Sequence, residues 1–318
     1  MSIANKNFLL AGDLLILDNE ATNTLLFNKK IVADYDMSLP YELVKSGKWT
    51  FDAFNAMVRQ VSEDLNGDGA MSYKNDRFGF AVFVDTLHAL LQSGGGAIAL
   101  KDEKDIPYMT LTTERNLQVI DKAMDIMYNH ENVINVCNVA EDWYDMHNSY
   151  HALFEEGRAL FLWARLRLVE RFRNMDDEFG IVPMPKFDEA QADYLSPINP
   201  WTGALICVPK TVSNTERTSI IIEALAAESR YTLRPAYYDV TLQRKYTRDD
   251  ESNEMLNIIF NSRVYDLGAT YSFGDIASPF VLLADKNEKR DIVSFYEKYE
   301  PRAQKAIDNI VDIFESLD

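Results

Sequence analysis

FEEGRALFLWARLRLVERFRNMDDEFGIVPMPKF, residues 154–187, reads as a helix end, a tight turn at Gly157, a short apolar strand and a loop with a tryptophan. A charged helix follows, then a second strand closed by Pro183 and Pro185. Strand, helix, strand in so short a span is the signature of an α/β chain, in which helices cover the faces of a sheet. No side chain in the stretch has the look of a catalytic nucleophile. It sets one aromatic and one guanidinium, Trp163 and Arg165, just past the end of a buried strand, where α/β proteins place ligand contacts.

Outward from this stretch, helical periodicity dominates. Residues 50–63 start at Thr50, an N-cap residue, and put Phe51, Phe54, Met57, Val58 and Val61 on one face. Residues 113–128 start at Thr113 and repeat Leu117, Ile120, Met124 and Met127. Residues 213–229 begin with a capping box, Ser213 to Glu216, and 250–264 carry Met255, Ile258 and Ile259. The tail, 288–317, is helical in two parts, because Pro301 removes an N–H and crowds the preceding turn. Strands are predicted at 8–17, 78–82, 97–100, 158–163, 179–183 and 204–208. Gly94-Gly95-Gly96 follows a helix rather than a strand and lacks the GxGxxG spacing, so it stops a helix and binds no dinucleotide.

The 318 residues allow two lobes, and 47% hydrophobic content fits an ordinary globular core. A net charge of −18 opposes phosphate backbones and excludes nucleic acid as a partner. Cys137 and Cys207 sit in apolar contexts, NVCNV and LICVP, and read as two small buried hydrophobes rather than a disulfide or a zinc pair. No window reaches the ~20 apolar residues of a membrane span. The first residues do not read as a signal peptide, since Asp13 interrupts the apolar run.

Three patterns carry candidate chemistry. Asp64, Asn66 and Asp68 with Gly69 open a calcium-type loop, in which alternate oxygen side chains converge on one ion. Asn75 stands where the closing bidentate carboxylate belongs, and Asp76 comes one residue late, so the stretch reads equally as a polar turn. His147, His151 and Glu155 are spaced four apart on one helix, which can present three metal ligands or a solvated face. That set would suit a carbohydrate-active or metal-dependent enzyme, but there is no HExxH, no GxSxG and no nameable carboxylate pair. The aromatic set Trp163, Trp201, Tyr237 and Tyr238 suits sugars, whose C–H faces stack on rings while their hydroxyls need planar polar partners. Trp201 lies in the proline-bracketed loop SPINPWTG and is either packed under it or presented to a ligand.

Several segments in order resemble the extracellular solute-binding proteins of bacterial sugar ABC transporters, the large lipoprotein subfamily with oligosaccharide ligands. They are LLFNKKIVADYDMSLPYELVKSGKWTFDAF, DLNGDGAMSYKNDRFGF, the opening stretch with its continuation DEAQADYLSP, ALICVPKTVSNTERTSIIIEALAAES, and RPAYYDVTLQRKYTRDDESNEMLNIIFNSRVYDLG. The resemblance covers nearly all of residues 22–318. It implies a helix-rich α/β protein of the type II periplasmic-binding-protein-like class, with two lobes closing on a ligand. The implied role is binding and delivery to the permease membrane subunits of an ABC importer, without catalysis and without a cofactor other than a structural calcium ion. The resemblance carries the ligand site to Phe83, Trp163, Arg165, Asn199 and Trp201, with Tyr237 and Tyr238 near the hinge-side rim.

Members of that group are longer at the N-terminus, where the signal, the lipid-anchor cysteine and most first-lobe strands lie. The resemblance therefore implies an extracellular, membrane-anchored protein whose N-terminal lobe is incomplete here. Residues 1–21 and 205–249 would remain of the first lobe, and 22–204 with 250–318 would form the second. An incomplete lobe exposes strand edges, which favours self-association, or leaves a remnant that binds no sugar. Arg165, Arg167 and Arg234 allow an acidic saccharide, and surface pairing explains them equally well.

Overall fold

The computed structural model describes residues 1–12, 14–128, 131–237, 250–284 and 291–317. A six-stranded mixed sheet forms its centre, built from β1 (Asn23–Asn28), β2 (Ser62–Glu63), β3 (Arg77–Val82), β4 (Val133–Asn135), β5 (Ala159–Arg165) and β6 (Phe179–Val182). β1 lies between β5 and β6, antiparallel to both. β3 runs parallel to β5 and β4, and β2 pairs antiparallel with β3. Every residue of β1 and β6 is buried, so these strands are covered on both faces.

Helices α1 (Phe51–Val58), α2 (Thr86–Ser93), α3 (Glu114–Met127) and α4 (Trp143–Glu155) share one apolar core with the sheet. The hydroxyls of Thr50 and Thr113 accept from Ala53 N and Asn116 N, which fixes where α1 and α3 begin. Between α1 and the sheet, Phe54 meets Phe80 and Phe161 edge-to-face, each at 5.0 Å between ring centres. Trp49 Nε1 donates to Pro183 O at 2.9 Å, so the end of the opening stretch is tied to this core. Gly180 is required there, because a Cβ at this position would stand 2.2 Å from Tyr41 Oη and 2.3 Å from Phe27.

Further along run α5 (Thr215–Tyr231), α6 (Asp250–Asn261) and α7 (Ile292–Ser316). α7 is one helix of 25 residues, not two. Pro301 and Glu297, whose carbonyl loses its partner, both face water, while Ala303, Ile307 and Phe314 hold the helix in a second apolar cluster. α5 is capped by Asn214, whose side chain accepts from Arg217 N, rather than by Ser213. It presents Ile220, Ile221 and Leu225 to solvent.

The strands predicted at 8–17 and 204–208 reduce to a single antiparallel bridge, Leu10 to Ile206. Gly12 and the short helix Leu17–Glu20 end the first of them. The strand at 97–100 forms as Ala99–Lys101 and pairs with Pro107–Met109. β1 had no matching expectation from pattern, because asparagines at both its ends hide the four residues between them. Cys207, next to the Leu10–Ile206 bridge, is exposed and Cys137 is half-buried, so neither is the fully buried hydrophobe expected.

Candidate functional site

The site grows from the C-terminal end of β5. β1 pairs with β5 to its last residue, Leu25 against Trp163 and Asn23 against Arg165. The strand therefore runs past the expected end, and Trp163 lies inside it at 1% exposure. The loop position assigned to Trp163 and Arg165 is corrected accordingly: the pairing partner, Asn23, is 142 positions away in sequence (165 − 23) and extends the ladder. Phe83 stands parallel to the Trp163 ring, 6.4 Å between centres and 7° between planes, so the indole face is covered. Tyr150 Oη donates to the Trp163 carbonyl and locks α4 onto the strand.

Phe83 is the hub of an aromatic group. His147 and Tyr150 approach it at 4.9 and 5.0 Å, and Trp143 at 6.2 Å. Two residues on, Asp85 accepts from Asn199 Nδ2 at 2.8 Å. Burial raises the Asp85 carboxyl above the usual carboxylate range, opposed by the Asn199 hydrogen bond and by the charges of Arg165, His88 and His147. Asn199 is fully buried and shapes the loop after it: its Oδ1 accepts from Trp201 N at 3.1 Å and Thr202 Oγ1 at 3.0 Å. The turn holds the Trp201 ring edge-to-face with buried His88 at 5.5 Å, and 42% of Trp201 is exposed. Trp201 is thus not packed wholly under its loop.

Phe83, Trp163, Arg165, Asn199 and Trp201 thus gather around Asp85, a residue the sequence did not single out. Trp143 was also missed as a surface group: it heads α4, one turn before the buried Met146, and is 66% exposed. Tyr237 is half-buried against the main core, and Tyr238 lies outside the described residues.

The metal-ligand reading of His147, His151 and Glu155 fails on geometry. Glu155 pairs with Arg171, His147 Nδ1 faces the Trp143 carbonyl at 3.0 Å, and the two imidazole centres are 6.4 Å apart. Burial first, then Arg171, His147 and Arg165, lowers His151 to about 4. Among the described residues, no three His, Cys, Asp or Glu side chains converge to hold a metal ion. In the calcium-type loop, Asp64 accepts from Gly67 N and Gly69 N, both at 2.7 Å, and Asp68 accepts from Ala70 N at 2.8 Å and from Asn66 Nδ2 at 2.9 Å. Asp76, fully buried, accepts from Leu65 N and Ser72 N and closes the loop from below.

No family profile and no curated protein matches the sequence. Solved structures do match the fold. UspC of M. tuberculosis aligns over 90% of this chain and 73% of its own, with a TM-score of 0.60 at 10% identity. UgpB of M. tuberculosis, solved with glycerophosphocholine, aligns over 91% and 70%, with a TM-score of 0.59 at 15% identity. The ABC substrate-binding protein Lmo0181 of Listeria monocytogenes, solved with cycloalternan, aligns over 92% and 68%, with a TM-score of 0.54 at 13% identity. The chain has the α/β fold of the two-lobe, periplasmic-binding-protein-like proteins.

Proposed function

We propose that the chain is the carbohydrate-binding receptor component of an ABC importer, or a shortened relative of one. The observation that carries this reading is an exposed indole, Trp201, set by Asn199 beside the polar floor of Asp85 and Arg165, with exposed Trp143 reached through Phe83. A ring face beside planar amide, carboxylate and guanidinium groups is what a pyranose needs. Proteins of the same fold hold cycloalternan and maltotriose. Trp163 then serves as a buried support of the site, and Trp201 and Trp143 supply the stacking faces.

The ligand class is an oligosaccharide, delivered by lobe closure to the permease membrane subunits at the extracellular face, where a lipid anchor would hold the receptor. In this reading residues 1–21 and 205–249 belong to one lobe and 22–204 with 250–318 to the other. The apolar face of α5, Ile220, Ile221 and Leu225, supports self-association through the first. Light scattering at micromolar concentration should show a dimer or larger species that Ile221→Glu disperses.

A thermal-shift screen against oligosaccharides tests the function. A binder at 100 times its Kd adds about 2.7 kcal/mol to stability. Trp201→Ala should abolish the shift, since Trp201 is surface-exposed and contributes little to folding. A folded wild-type sample that no oligosaccharide stabilises, or a Trp201→Ala variant that binds unchanged, refutes the reading.

A further inference from the structure

The end of the β1–β5 ladder holds an excess of hydrogen-bond donors. Asn23 is fully buried, and neither its Oδ1 nor its Nδ2 has a partner in the protein. Trp163 Nε1 and Arg165 Nε are likewise buried and unpartnered. These groups share a face, because Asn23 stands directly opposite Arg165 and Trp163 is two residues back along the same strand. A buried donor left without an acceptor is costly, so three of them at one end of the ladder are a deficit that a ligand would relieve.

The chain as a whole is acidic, yet two arginines meet at this spot. A shallow cleft lined by Leu17, Glu20, Ala21, Arg165, Arg167 and Thr202 opens beside it, next to the Asn199–Trp201 turn. The chain has 50 acidic residues for 32 Lys and Arg, yet among the described residues neither Arg165 nor Arg167 has a carboxylate within ion-pair distance. Glu20 lines the cleft without pairing to either, and Asp85, which feels the charge of Arg165 without pairing to it, is hydrogen-bonded by Asn199. The cleft thus holds two cations and one carboxylate, and the buried donors of Asn23 and Trp163 lie at the same end of β5.

Resting on the carbohydrate reading above, we infer that the saccharide carries an anionic group, a carboxylate or a phosphate ester, received by Arg165 and Arg167 with Asn23 Nδ2 and Trp163 Nε1 as neutral donors. Such a group offers several acceptor lone pairs to Asn23 Nδ2, Trp163 Nε1 and Arg165 Nε, and a hydroxyl of the same sugar donates to Asn23 Oδ1. The neutral part of the sugar extends toward Trp201.

Isothermal titration of the full chain with matched trisaccharides tests this. The probes are α-1,4-linked glucose and galactose trimers, each in neutral, C6-carboxylate and C6-phosphate forms. At least one acidic form should bind tenfold or more tightly than its neutral counterpart, the scale of one charge-assisted hydrogen bond. The ranking of carboxylate against phosphate distinguishes the two sources. Arg165→Gln should erase that preference, and Arg167→Gln, an exposed position that folding does not depend on, should reduce it at least threefold. Neutral trimers binding as tightly as the acidic ones would overturn the inference and leave the carbohydrate reading standing. An acidic preference retained in both variants would also overturn it. If no form binds a folded sample, both readings fall.

Discussion

Replacing Asn199 by Ala is the sharpest test of how the site is held together. The side chain is fully buried and makes three hydrogen bonds: Nδ2 to Asp85, and Oδ1 from Trp201 N and Thr202 Oγ1. At about 1 kcal/mol net for each, the loss is about 3 kcal/mol. For a chain of this size that lowers Tm by roughly 5–10 °C. The loss depends on pH with a definite sign. Burial already raises the folded-state pKa of Asp85, and removing the Asn199 donor raises it further, because that bond favours the charged form. The variant's deficit is therefore full above the folded pKa of Asp85, where the carboxylate is buried without its donor. It shrinks as pH falls through that value and the carboxyl becomes neutral. Urea denaturation followed by circular dichroism from pH 7.5 to 4.5, wild type against variant, measures both effects. A deficit below 1 kcal/mol at pH 7, or one that does not shrink toward acid, would refute the account of Asp85 and Asn199 as a coupled pair. Weaker sugar binding by the same variant, beyond what its stability predicts, would tie the Trp201 turn to the ligand.

Gly180→Ala drives a Cβ into Tyr41 and Phe27 and should cost about 3 kcal/mol, read from the urea midpoint; a loss under 1 kcal/mol would mean the sheet relaxes freely there. His151 binds its proton less readily folded, at about 4, than unfolded, near 6.5, so it withdraws stability as pH falls from about 6.5 to 4. His151→Gln should flatten the acid limb of the stability curve in that window, and an unchanged limb would show that the imidazole is solvated. Calcium should raise Tm by no more than about 1 °C over an EGTA-treated sample, because backbone amides already hold the Asp64 and Asp68 oxygens; a shift of several degrees would assign the loop to the ion.

What sequence alone made legible follows the range of the interactions. Thr50 and Thr113 cap their helices through bonds to residues three ahead, so type and position were readable in place. Gly180 and the two prolines after it marked a buried strand and its end for the same reason. The end of β5 was not readable, because it depends on Asn23 and Leu25 arriving from far up the chain. Asp85 was invisible, since its burial and its bond to Asn199 exist only after residues 83–85 and 199–202 meet. Pro301 misled because its cost inside a helix depends on whether the freed carbonyl faces water, which no local pattern reports.

The same dependence on range changes what Trp163 can do. As a loop residue it would offer an indole face to a sugar. As the third pair from the end of a ladder, with Phe83 parallel to it, it can offer only its Nε1 edge. Stacking then passes to Trp201 and Trp143, whose rings are partly exposed because one follows a turn built by Asn199 and the other heads a helix before its buried face begins. A strand that ends two residues later than pattern predicts thus converts one ligand contact into the floor of the site. It also brings Asn23, Trp163 and Arg165 onto one face with three unpartnered donors against the single acceptor of Asn23, so extending the ladder and orphaning its donors are one structural event.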